Sequence, residues 1–197
     1  MLADASVARN FAVLGWVDHL VALAGGTLLI AHGVLGLTAE EPAELERIQK
    51  AFRDESARDP GSPAASAAAA ALVGLDDLIG RRSQDIKVVV PTAEEFALAV
   101  RLHDPQDREW RRQLGVRARR LDAGEAVSIG IAIGRRLAFA SDDDDARVAY
   151  LALGGTKHLW TLDLIQEAVA RRLLSKAEAQ AGYRRLCERY RFWGPPW

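Results

Sequence analysis

A chain of 197 residues, 49% of them hydrophobic, is long enough for one domain of ordinary size and apolar enough to bury a substantial core, which excludes general disorder. Its formal charge of −1 excludes a uniformly basic nucleic-acid binder, so any polyanion must meet a local basic patch. The lone cysteine, Cys187, excludes a disulfide framework and fits a reducing cytoplasm, while His19, His32, His103 and His158 are too scattered for a zinc spacing.

No cationic segment precedes an apolar run, so no signal peptide is expected. Residues 1–3 form a short apolar start that runs into Asp4, Ala5 and Ser6. Val7, Phe11, Leu14, Val17 and Val21 recur at helical spacing, which predicts a helix over 7–23 ended by Gly25 and Gly26. Residues 27–31 form a continuous apolar run suited to a buried strand. The uncharged stretch 20–39 is long enough to raise a membrane span, but Gly25, Gly26, His32, Gly33 and Gly36 interrupt it, and no membrane partner is expected. A charged amphipathic helix follows over 39–52.

Residues 59–71 are of low complexity, a Pro-Gly-Ser-Pro loop followed by alanines that start a helix. A β-branched strand over 86–90 is closed by Pro91, and a helix over 92–102 follows. Arg108, Arg111, Arg112, Arg117, Arg119 and Arg120 then crowd one stretch, either as a phosphate-binding patch or as a solvated helix face. A helix over 122–134 leads to a short strand over 137–140, the acidic run Asp142 to Asp145, and a helix through Leu151. A strand over 157–160, helices over 162–173 and 176–190, and an irregular aromatic tail over 191–197 complete the chain. Strands alternating with helices imply an α/β fold, a three-layer α/β/α sandwich around a mostly parallel sheet. All 197 residues are expected in a single domain, with a helical and loop insertion at about 51–82 that decorates the fold without joining the sheet.

Ligands of open parallel sheets bind outside the carboxyl ends of the strands. Asp4 and Asp142 each fall at such an end, so their carboxylates are expected close together. Two unpaired carboxylates about 4 Å apart repel by roughly 4 kcal/mol at an effective dielectric of 20, a cost that a cation removes. Glu125 is the third member, a carboxylate in the first turn of a helix that is apolar on nearly every side. Taken alone, it is explained by the helix dipole; three acids converging on one crevice favour a metal site. Asp145, on the same face as Asp142, is the next candidate ligand.

Asp4-Ala5-Ser6 followed by Asn10-Phe11 resembles the opening of PIN domains. Leu121-Asp122-Ala123-Gly124-Glu125-Ala126 is similar to the Gly-Glu-Ala helix start of one large branch of that family. Ser141-Asp142-Asp143-Asp144-Asp145-Ala146-Arg147 resembles its Thr-Asp-Asp-x-x-Ala-Arg segment, and Trp160-Thr161-Leu162-Asp163-Leu164-Ile165 its closing Thr-x-x-Leu-Leu helix. The resemblance is nearly continuous over 121–186 and holds only at Asp4 and in outline before that.

It implies a parallel-sheet α/β/α fold, a Mg²⁺ or Mn²⁺ site and hydrolysis of single-stranded RNA. Many relatives are toxins of the VapC type, held inactive by a small antitoxin. The expected partners are therefore single-stranded RNA, a small antitoxin protein and a second copy of the chain. The sequence departs from the family in two places. Where the family carries a glutamate after the second strand, this chain has Gly36, with Glu41 the first candidate to substitute and Glu40 and Glu44 beside it. Only three residues precede Asp4, so a clipped first strand or an upstream start is expected.

The leading expectation is metal-assisted phosphodiester hydrolysis by Asp4, Glu125 and Asp142, with Asp145 as a further ligand. Ser6 and Ser141 would orient a carboxylate or water, and Arg112, Arg117, Arg119 and Arg120 would contact RNA phosphates. The alternative is a catalytically degenerate PIN-like scaffold, suggested by Gly36 and the aromatic tail. A third reading, Asp4 as a phosphate-accepting nucleophile, ranks last because Asp4-Ala5-Ser6 lacks the second aspartate that such sites use.

Overall fold

The computed structural model describes residues 1–36, 43–81, 84–116, 121–190, 192 and 197. Five short strands, β1 (Leu2–Ala3), β2 (Leu28–Ala31), β3 (Ile86–Val89), β4 (Phe139–Ala140) and β5 (His158–Leu159), form one sheet in the order β3-β2-β1-β4-β5. Every pairing is parallel; Leu2 lies opposite both Leu29 and Phe139. Leu2, Ala3, Ile30, Phe139 and Ala140 are wholly buried, as a parallel sheet covered on both faces requires.

The helices divide into two layers. On one face α1 (Ala5–Val13), α2 (Val17–Leu23), α3 (Glu44–Arg58), α4 (Pro63–Gly80), α9 (Thr161–Ala170) and α10 (Lys176–Arg189) pack among themselves. On the other, α7 (Ala123–Gly134) lies against β1 and β2 and is flanked by α5 (Ala93–His103) and α8 (Asp144–Ala152). A shorter helix, α6 (Arg108–Gln113), follows α5. The fold is therefore the α/β/α sandwich that the alternation of strands and helices implies.

Three expectations need correction. The helix expected over 7–23 is two helices, because Gly15 at φ +72° turns the chain between them while the apolar period continues on both sides. The helix expected over 39–52 starts later, at Glu44, and runs to Arg58, through the expected start of the insertion. Among the described residues, 51–82 contains no strand, yet α4 is core rather than decoration. Its Ala68, Ala71, Leu75 and Leu78 are buried, and Gly74 lies so close to α1 that a Cβ would fall 1.7 Å from the Ala12 carbonyl oxygen. Among the described helices, α4 is the one long and apolar enough to cross a membrane, and here its small-residue stripe packs on α1 and α3.

Of the tail, Phe192 and Trp197 are described, and Trp197 is exposed. Phe192 is buried edge-on against Tyr183 of α10, with ring centroids 5.8 Å apart, and its N–H donates to the Leu186 carbonyl.

From β1 the chain builds outward through β2 and β3 on one side, and through β4 and β5 on the other. The strand order therefore reverses between β1 and β4. A crevice opens at the carboxyl ends of the strands where such a reversal occurs, and Asp4 and the Asp142 to Asp145 run fall there.

Candidate acidic site

Asp4 follows β1 directly, its N–H bonded to the Ala140 carbonyl of β4 at 2.9 Å. The residue is only 2% exposed; Oδ2 accepts a 3.3 Å hydrogen bond from the Ser141 hydroxyl, whereas Oδ1 is buried with no donor. Burial, followed by the repulsion of Glu44 and Asp143, pushes the carboxyl up to about 7 against the pull of the Ala5 N–H and Ser141. Glu125, in the first turn of α7, accepts from the Asp122 N–H at 3.0 Å. Burial, Asp4 and Asp143 push its carboxyl to about 8. The charge of Asp4 thus bears on Glu125, and burial holds both carboxyls well above the usual carboxylate range.

Asp142 is placed differently from expectation. Its Oδ1 accepts from the Thr161 N–H at 2.8 Å, and its Oδ2 from the Thr161 hydroxyl at 2.5 Å and Asn10 Nδ2 at 2.9 Å. Burial raises this carboxyl, while Thr161, Asn10 and Arg9 draw it down. Its oxygens are therefore already provided with donors. The member of the acidic run whose charge bears on both Asp4 and Glu125 is Asp143, which also caps α8 by accepting from the Ala146 N–H at 2.8 Å. Asp145 lies in the first turn of α8, and Asp144 pairs with Arg147 at 2.7 Å.

Of the three acids expected to stand in near Gly36, Glu44, the first residue of α3, is the one among the described residues. Its N–H bonds to the Gly33 carbonyl at 3.3 Å, and its Oε2 lies 2.7 Å from where a Cβ on Gly124 would stand. The glycine before Glu125 thus leaves room for this carboxylate. Burial and Asp122 raise the Glu44 carboxyl, while Arg47 and Arg9 lower it. Glu44, Arg47, Asp122 and Gly124 line a cleft of about 470 Å³ that opens beside the acids. A larger cleft, about 590 Å³, lies at the opposite, amino ends of the strands around Met1, Ala138 and Lys157, away from these acids. Glu40 and Glu41 lie outside the described residues.

Of the two serines expected to orient a carboxylate or water, Ser141 meets a carboxylate, whereas Ser6 meets backbone. The Ser6 oxygen accepts the Asp142 N–H at 3.1 Å, and Ser141 bridges Asp4 and the Asp143 N–H. The sequence reading missed Arg9, and treated Asn10 and Thr161 only as parts of motifs. Arg9 donates to Asn10 Oδ1 through Nε and Nη2 at 3.3 and 2.9 Å, and Asn10 in turn donates to Asp142 and to Thr161 Oγ1. The available signal was the Arg9-Asn10 pair, a charged and a polar residue together in an otherwise apolar helix.

The arginine-rich stretch is reduced by the structure. Arg111 is buried, and its guanidinium donates to the Arg101 and Asp104 carbonyls. Arg112 is exposed and paired with Glu109 at 2.6 Å, while Arg117, Arg119 and Arg120 lie outside the described residues.

For a cation, the test is what the donor set lacks. The orphaned Asp4 Oδ1, and carboxyls raised by burial and mutual repulsion, have the chemistry that a hard, oxygen-seeking ion relieves. The expected three-acid convergence of Asp4, Glu125 and Asp142 is not formed, however. Among the described residues no three His, Cys, Asp or Glu side chains are drawn into a ready ligand group, so an ion would rest on Asp4 and Glu125 and keep much of its water.

No family model matches the chain, and no curated protein or solved structure matches it at a significant level.

Proposed function

We propose that this chain is a PIN-like, metal-dependent endoribonuclease acting on single-stranded RNA. The observation that carries the reading is the buried, unpartnered Asp4 Oδ1 facing further carboxylates at the crevice between β1 and β4. In this reading Asp4 and Glu125 would hold a Mg²⁺ or Mn²⁺ ion, with Glu44 and Asp143 adding negative charge nearby. Bound there, the ion supplies charge neutralisation and an acidified water for phosphodiester hydrolysis. Ser141 holds Asp4 Oδ2 in place, and Thr161 and Asn10 fix Asp142 as the wall of the crevice. Exposed Arg47, on the cleft that Glu44 lines, provides positive charge for a phosphate backbone, which gives affinity without sequence information. The toxin reading, with a small antitoxin as partner, follows from the sequence resemblance and belongs to the same proposal.

The test is cleavage of single-stranded RNA at millimolar Mg²⁺ or Mn²⁺, with thermal stability measured across the same titration. Asp4→Asn is expected to lose on the order of a thousandfold or more in rate while still folding. The absence of a ready three-acid group favours one competitor, a non-catalytic interaction scaffold. If millimolar metal brings neither stabilisation nor cleavage, the scaffold reading replaces the nuclease.

A further inference from the structure

Asp4, Ser141 and Trp160 stand in a row along the carboxyl edge of the sheet. Ala3 lies opposite Ala140, and Ala140 opposite Leu159, so the next residue of each strand emerges at the same level. Residues at one level of a parallel sheet point to one face, and the Ser141 hydroxyl on Asp4 Oδ2 shows this for the first two. One pleat earlier, Phe139 and His158 share that face with ring centroids 6.0 Å apart, and Phe139 meets Tyr150 of α8 at 5.4 Å. Trp160 is thus on the α8 side with Asp4, whereas Asp142 turns to Thr161 at the head of α9.

The Trp160 ring is half-buried. His158 meets it edge-on, with centroids 5.3 Å apart and planes at 82°, and the Arg147 guanidinium of α8 lies over it, 5.8 Å from the centroid. Its backbone is fixed, because its N–H donates to Asp163 at 2.9 Å and that of Thr161 donates to Asp142 at 2.8 Å. Arg147 is steadied by Asp144 through Nε at 3.0 Å and Nη2 at 2.7 Å. With neighbouring strands about 4.8 Å apart, the Trp160 backbone stands roughly 10 Å from that of Asp4.

A phosphate beside these carboxylates is repelled, but a nucleobase is neutral and presents a π-face that stacks on an aromatic ring whatever the sequence. That face is free only in a single strand, since in a duplex the neighbouring bases cover it. Resting on the nuclease reading above, we propose that Trp160, braced by His158 and Arg147, is a stacking platform for a base of single-stranded RNA next to the phosphate that lies over Asp4. Arg47 holds the backbone on the opposite flank of the acids, beside Glu44.

The experiment compares binding of a fluorescein-labelled oligoadenylate with that of an abasic ribose-phosphate strand of equal length. Anisotropy reads affinity for the full chain at low salt, in chelator and in millimolar Mg²⁺, and circular dichroism follows folding. Wild type is expected to bind the oligoadenylate on the order of tenfold more tightly than the abasic strand. Trp160→Leu stays apolar without a ring, and is expected to lose that preference. It should hold the abasic strand as before, with unchanged salt dependence, because no phosphate contact is removed. Trp160→Phe, with a smaller ring, is expected to keep part of the preference. Equal binding of both strands by wild type, or a full preference in Trp160→Leu, overturns the platform and leaves the nuclease reading standing. No binding of either strand in either condition overturns both. Should Trp160→Leu fail to fold, Trp160→Phe decides, a reduced preference supporting the proposal and an unchanged one overturning it.

Discussion

Replacing Asp4 by asparagine keeps the shape of the side chain and removes the charge that burial and Glu44 oppose. The folded-state carboxyl is raised from 3.8 to about 7, so the native protein holds this proton more tightly than the unfolded chain does. The associated stability is therefore complete below pH 3.8 and is lost as the pH rises through about 7. The gap between those two values, at 1.36 kcal/mol per pH unit, amounts to about 4 kcal/mol. Asp4 is 2% exposed, so solvent screening does not reduce the figure. Glu125, raised to about 8, pushes the same way, but Asp4 contributes to its shift and the two effects do not add in full. In chelator, Asp4→Asn is expected to melt close to wild type at pH 3.5, below the unfolded-state value, and to gain on it as the pH rises. At pH 9 it should be more stable by up to about 4 kcal/mol, on the order of 10 °C in Tm for a chain of this size. Mg²⁺ at pH 9 is expected to raise the wild type and leave the variant unmoved. Thermal melts at both pH values, with and without metal, measure all of this. A variant less stable than wild type at pH 9, or a gap independent of pH, would refute the claim that Asp4 is an uncompensated carboxylate.

Two substitutions test the supports of the site. Thr161→Val removes the hydroxyl that donates to Asp142 and accepts from Asn10, and is expected to lower urea-unfolding stability by about 1.5–3 kcal/mol. Gly74→Ala puts a Cβ 1.7 Å from the Ala12 carbonyl oxygen, so α4 must move off α1, with a loss of about 3 kcal/mol or more in the same assay; a neutral result would contradict the placement of α4 in the core.

The fold was legible because its signals are local. β1, β2 and β4 are short apolar runs bounded nearby by glycine or an acid, and a parallel sheet needs no cross-strand pattern to be recognised. What failed depended on distant contacts. An alanine-rich stretch reads as low complexity because its value as core lies in how closely α4 meets α1 at Gly74. Arg111 reads as a surface charge because its carbonyl partners lie in the preceding turn, where composition does not reveal them. Asp4 and Glu125 were identifiable from a strand end and an apolar helix. That the charge of Asp143 rather than Asp142 bears on Asp4 was not legible, because consecutive residues in extended backbone point to opposite sides and a one-residue difference decides which carboxylate meets Thr161.

The departure at Gly36 is the point at which fold and site are joined. Glu44 is held at the crevice by the head of α3, where its own N–H bonds to Gly33 and that of Leu45 bonds to Val34, both in the turn after β2. The rest of α3 packs on α4, and α4 is fixed to the core through Gly74 on α1, the helix that also carries Arg9 and begins just after Asp4. A residue whose backbone is tied to one turn, and whose helix is braced against a second helix, approaches Asp4 in a set direction. The Gly124 backbone leaves the space for its carboxylate. The region that composition suggests is an accessory insertion therefore carries a structural load for the site, since loosening α4 frees α3 and with it the charge that raises Asp4. If that coupling holds, Gly74→Ala lowers the apparent Asp4 pKa as well as the stability, and it does so without touching any acid in the crevice.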